Sequence, residues 1–141
     1  MKVNSAVNIS EMLSLALHSM VLIANNGGEV VSVKDIARET GYSINHLAKV
    51  MQRLVKAGLL QSLRGPKGGF LLKRNAADIS FLDIYEAIEG KIDLESCPVG
   101  QIKCPFSKCI FDGKIKTLNK QFLQFLTSKT LDSFLDYQRT V

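Results

Sequence analysis

Every cysteine of this 141-residue chain falls in one stretch, CPVGQIKCPFSKC, as Cys97, Cys104 and Cys109. Thiolate is a soft ligand that suits iron–sulfur clusters and zinc, and it is also a redox centre. The spacing C-x6-C-x4-C bends the chain around something wider than a single ion. Structural zinc sites favour paired C-x2-C units, and this chain has none. Pro98 and Pro105 each follow a cysteine directly, stiffen the loop and offer no N–H to a competing ladder. An odd cysteine count in one tight group argues against a disulfide framework and for metal or redox chemistry. An iron–sulfur cluster, zinc and bare redox thiols are the three readings these residues leave.

Three thiols are one short of a tetrahedral set. The chain has two histidines, His18 and His46, and neither lies in or after the cysteine stretch. His18 shares a predicted helix face with Ser14 and Glu11 among apolar neighbours, where an ionisable group needs a partner. A hydrogen-bonded core histidine is the bland explanation, and ligation is the sharp one. His18 is therefore the first candidate for a fourth ligand, Glu11 the second, and a small molecule or water the third. No histidine adjoins the cysteines as a base for nucleophilic catalysis. The chain also lacks a phosphate loop and a zinc-protease motif, so no enzyme is expected.

The elements that must position these residues follow from periodicity and caps. Asn8 with Glu11 resembles a capping box and predicts a long apolar helix to about Ala24. Ser32 with Asp35 predicts a short helix that stops at Gly41, and Ser43 is the predicted cap of INHLAKVMQRLVKA, which stops at Gly58. Two helices joined by a short glycine-containing turn make a helix-turn-helix. The next segment, LLQSLRGPKGGFLLKR, has two β-prone runs flanking Gly65-Pro66-Lys67-Gly68-Gly69, which reads as a hairpin. Ser80 and Asp83 start a further helix closed by Gly90. After the cysteines, a last long helix is predicted from about Phe111, with Ile115, Leu118, Phe122, Phe125 and Leu126 on one face. That face is either a dimer contact or the cover of the chain's own core. The fold class predicted is mainly α with a small β-hairpin wing: a winged helix-turn-helix plus a long C-terminal dimerisation helix. Residues 1–75 would be the DNA-binding unit, 76–110 a linking helix and cysteine loop, and 111–141 the dimerisation helix and C-terminal segment.

Charge divides along the same line. Residues 1–75 carry ten basic and four acidic side chains, a net of +6, while the rest carries eight and nine, for a total of +5. On a helical wheel Ile44, Leu47, Val50, Met51 and Leu54 gather on the inward side of the third helix. The opposite side holds Asn45, His46, Lys49, Gln52, Arg53 and Lys56, with no acid among them. An ordinary solvated face mixes signs; this one suits a polyanion. Ser43, Asn45, His46, Lys49 and Arg53 are the predicted DNA-reading residues of the helix, and Arg64 and Lys67 those of the wing.

The stretch GYSINHLAKVMQRLVKAGLLQSLRGPKGGFLLKR, followed by a helix and a three-cysteine loop, resembles the IscR/NsrR family of winged-helix iron–sulfur-sensing repressors. The likeness covers nearly the whole chain. RGPKGGF and the clustered cysteines are its most specific parts, and NHLAKVMQRL looks closer to the NsrR branch. The resemblance implies a homodimer on palindromic double-stranded DNA. It also implies a two-iron or four-iron cluster on Cys97, Cys104 and Cys109 that senses nitric oxide, iron or redox state. IscR-like members take a fourth ligand from a histidine beyond the cysteines, which this chain lacks. NsrR-like members can take a carboxylate from the first helix of the partner subunit, and Ser14, a poor ligand, stands at the matching position. Some members lack the cysteines and sense in other ways, and the alternative reading is a regulator of the same family without a cluster that answers to a partner protein, a small ligand or thiol oxidation. No secretory signal and no membrane-length apolar run are visible, so a cytoplasmic protein without membrane association is expected.

Overall fold

The computed structural model describes residues 3–135. Helix α1 (Glu11–Ala24) starts at Ser10, whose hydroxyl accepts the Leu13 N–H at 3.0 Å. The cap predicted at Asn8 is corrected to Ser10. Ser10 is the extended residue directly before the first turn, the place from which a side-chain oxygen reaches the third helical N–H. Glu11 thereby becomes the first helical residue, where its charge still favours the helix dipole.

Helix α2 (Val33–Thr40) has the full capping box of Ser32 and Asp35 and ends on Gly41, whose φ of 78° is left-handed. Helix α3 (Ile44–Lys56) follows after one intervening turn and buries Leu47, Val50, Met51 and Leu54. Two expectations fail here. Ile44 is 48% exposed, because it lies roughly 70° around the helix from the middle of the buried stripe. Ser43 sits at the cap position, but its hydroxyl makes no capping bond.

Strands β1 (Leu60–Leu63) and β2 (Gly69–Leu72) pair antiparallel, from Leu60 opposite Leu72 to Leu63 opposite Gly69. Val31, just before α2, exchanges both backbone bonds with Phe70, at 3.0 and 2.8 Å, and ties the hairpin's root to the helices. A short 3-10 turn (Ala76–Asp78) leads into α4 (Phe81–Glu89), which has the predicted capping box of Ser80 and Asp83. Helix α5 (Lys114–Ser128) begins later than predicted. Asp112 and Gly113 have φ of 51° and 71°, and a right-handed helix cannot run through them. A last 3-10 turn spans Leu131–Phe134.

These elements share one apolar core. Leu13, Leu15, Ala16, Met20 and Ile23 of α1 meet the buried stripe of α3, Ile84 and Ile88 of α4, Leu126 of α5 and Leu131 beyond it. Phe134 stacks on Phe81 at 4.8 Å, and its carbonyl accepts the Asn25 side-chain N–H at 2.8 Å, so the chain's later part closes back over the end of α1. The winged helix-turn-helix fold is therefore present, with the long helix α5 packed beside α4. Among the described residues, no helix is long and apolar enough to cross a membrane.

Candidate nucleic-acid interface and cysteine loop

Burial of four apolar residues fixes how α3 faces outward. Opposite Leu47, Val50, Met51 and Leu54 stand Asn45, Lys49, Gln52 and Lys56, all exposed. Exposed Ser43 precedes them at the helix start. His46 and Arg53, predicted to share this face, are exposed too, toward its flank, and each also meets a neighbour. His46 Nδ1 stands 3.4 Å from Glu11 Oε1 of α1. Arg53 Nη1 donates to the Ile88 carbonyl of α4 at 3.1 Å. At the wing tip Arg64 and Lys67 are exposed on either side of Pro66. The turn between the two strands thus carries two solvent-facing cations.

Glu11, Ser14 and His18 do form one strip of α1, but within this chain the strip faces the helix-turn-helix. Ser14 Oγ is 2.9 Å from the Tyr42 hydroxyl, His18 Nδ1 is 2.7 Å from the Ser14 carbonyl, and the His18 and Tyr42 rings meet edge to face at 6.3 Å. Neither His18 nor Glu11 lines the hollow around the cysteines. Tyr42, which sequence reasoning passed over, occupies the turn between α2 and α3. The signal for it was its place directly after the helix-ending Gly41.

Cys97, Cys104 and Cys109 are free, exposed thiols on one open hollow of about 540 Å³. Pro98, Pro105, Phe106, Phe111 and Lys116 also line it. The Cys97 thiol is held below its ordinary pKa, first by the backbone N–H of Val99, then by those of Gln101 and Gly100, with the Lys116 ammonium adding to them. Nothing in the spacing of the cysteines announces Lys116, which arrives from the first turn of α5. Among the described residues, no three His, Cys, Asp or Glu side chains converge to hold one metal ion. Iron–sulfur clusters are held mainly by cysteine thiolates. The three thiols on one apolar-walled hollow are of that donor type.

A family model described as "Rrf2: Iron-dependent Transcriptional regulator" matches residues 9–137. The chain belongs to the Rrf2 family. Among curated relatives, the HTH-type transcriptional regulator IscR of Pectobacterium atrosepticum is 31% identical over 129 residues, 91% of this chain and 74% of that protein. Protein aau3 of Rhizobium meliloti is 28% identical over 131 residues, 92% of this chain and 85% of its own length. Among solved structures, T. potens IscR superposes with a TM-score of 0.73 at 28% identity, covering 96% of this chain and 94% of that one. The oxidized form of Staphylococcus aureus CymR gives 0.72 at 27% identity, covering 95% and 100%. The Rrf2 membership makes this chain a DNA-binding transcriptional regulator of the winged-helix class and not an enzyme.

Proposed function

We propose that this Rrf2 regulator acts in the cytoplasm as a homodimer on palindromic double-stranded DNA, most simply as a repressor, with its affinity set by an iron–sulfur cluster on Cys97, Cys104 and Cys109. The observation that carries the sensing part is the gathering of all three thiols on one hollow, between the end of α4 and the start of α5. A bound cluster would supply a site that exchanges ligands and electrons with small molecules. The chain's own residues would do the rest. The three cysteines ligate, and the backbone N–H groups near Cys97 favour its thiolate. Phe106 and Phe111 give the hollow part of its apolar wall. Residues 1–75 read DNA, 76–110 carry the loop, and 111–141 join the copies.

The dimer part rests on α5. Leu118 and Phe125 leave 41% and 43% of their surface open along a groove that also includes Val7, Ile9, Ile115 and Phe122. An apolar stripe of this kind on a terminal helix matches a second copy of itself. A fourth ligand from a second copy's first helix would be His18 or Glu11. Each would have to leave its present contact, with Ser14 and Tyr42 or with His46.

Protein purified without oxygen is expected to absorb in the visible and to contain iron and sulfide. Cys104→Ser is expected to abolish both while leaving the circular dichroism unchanged. Colourless protein with stoichiometric zinc would end the cluster reading. The likeness of Asn45–Leu54 to the NsrR branch makes nitric oxide the first signal to try on the coloured protein. A second reading, control by thiol oxidation without metal, draws support from the likeness to CymR in an oxidized form and from the lowered pKa of Cys97. Metal-free protein that still releases DNA on oxidation would favour it.

The reading face has its own test. Lys67→Ala is expected to weaken binding to every duplex and to flatten the dependence of log K on log salt by about one unit per protomer, since each neutralised phosphate contributes about 0.9. An unchanged slope would remove the wing tip from the interface.

A further inference from the structure

We infer that Arg53 is a positioning residue that ties the recognition helix to the root of the cysteine loop, and is not a phosphate contact. The inference rests on the DNA-binding reading above and adds a route by which loop and helix are linked. Its basis is where Arg53 stands. The outward centre of α3 is made by Asn45, Lys49, Gln52 and Lys56, and Arg53 lies roughly 70° to one side. There its guanidinium donates to the Ile88 carbonyl at 3.1 Å in a partly buried contact. Ile88 belongs to the last turn of α4, where carbonyls have no partner within the helix and a cation is favoured by the dipole. Gly90 ends α4 immediately afterwards, and the chain passes from there into the cysteine loop.

Two further contacts brace the same junction. Glu89 accepts the hydroxyl of Ser10, the cap of α1, at 2.5 Å, and the next residue, Glu11, meets His46 of α3. The last turn of α4, the first turn of α1 and the recognition helix are thus joined at three points. A displacement of the loop root is passed to α3 through Arg53. Coupling of this kind is reciprocal, so a DNA duplex that holds α3 must also quiet the loop root.

The test compares wild type, Arg53→Met, Arg53→Lys and Lys49→Met as full chains on a duplex recovered by selection from a random-sequence library. Lys49→Met is expected to flatten the salt slope by about 0.9 per protomer, and Arg53→Met to leave it as in wild type. Hydrogen exchange of the amides in 89–97 is expected to slow at least threefold when wild type binds the duplex. Arg53→Met should lose that slowing, and Arg53→Lys, which can still donate to the carbonyl, should keep it. Arg53→Leu, which likewise has no donor, replaces the methionine variant if that one fails to fold. A slope loss in Arg53→Met as large as that in Lys49→Met overturns the inference, and so does undiminished protection of 89–97. If wild type binds no duplex at all, the DNA-binding reading falls first and takes this one with it.

Discussion

Leu47→Ala is expected to lower the unfolding free energy by about 3–5 kcal/mol, the range found for fully buried leucines replaced by alanine. Leu47 is wholly buried on the inner face of α3, beneath Asn45, His46 and Lys49. The shortened side chain leaves a cavity among α1, α2 and α3, whose mutual packing limits how far the site can collapse. A single small domain has about 5–15 kcal/mol in total, so the loss is a large fraction of it. Urea titration should move the midpoint strongly downward with little change in slope. A midpoint within error of wild type would mean that α3 is not packed as described. Below the transition the folded fraction should still bind duplex within a few-fold of wild type, because no outward side chain has changed.

Gly68→Ala is expected to weaken duplex binding by about tenfold or more. A Cβ built on Gly68 would sit 2.2 Å from the Leu63 carbonyl oxygen and 2.9 Å from that of Gly65. Both obstacles are backbone, so neither can swing aside as a side chain would. Overpacking of this type costs about 1–3 kcal/mol, and the hairpin can escape it only by opening between Leu63 and Gly69. Gly69 leaves little slack on the other side, since its own Cβ would fall 2.5 Å from the Val31 carbonyl oxygen. Opening the turn displaces Arg64 and Lys67 together. The midpoint of global unfolding should fall far less than in Leu47→Ala, because the tip is exposed and outside the core. Fluorescence anisotropy with a labelled duplex measures the affinity. An affinity equal to wild type would show that the wing's shape does not matter to binding.

Much of this architecture was legible in the sequence because its signals are local. Ser32 with Asp35 and Ser80 with Asp83 are reciprocal hydrogen-bond pairs three residues apart, and both form as predicted. Gly41 and the glycine-rich tip of the hairpin were recognisable because their conformations exclude most other residues. The buried stripe of α3 followed from a 3.6-residue period. Where a local signal had a competitor, the sequence was ambiguous: Asn8 and Ser10 are both good caps, and the helix took the one nearer its apolar run. The start of α5 went astray because the positive φ at Asp112 is a backbone state that its residue type permits but does not announce.

The sequence by itself determined that a cationic winged helix-turn-helix would be followed by a loop carrying all three thiols, since charge, caps and cysteine spacing are properties of neighbouring residues. Only the tertiary structure decided which members of the cationic face also meet other helices. A wheel puts His46 and Arg53 toward one side of Lys49 but does not say what stands beside them. There they meet a carboxylate on α1 and a carbonyl on α4, contacts between residues 35 positions apart. The same holds for Lys116 beside the cysteines and Tyr42 beside Ser14 and His18. Such pairings arise when separate helices dock on a shared core, and no period or spacing along the chain encodes the docking.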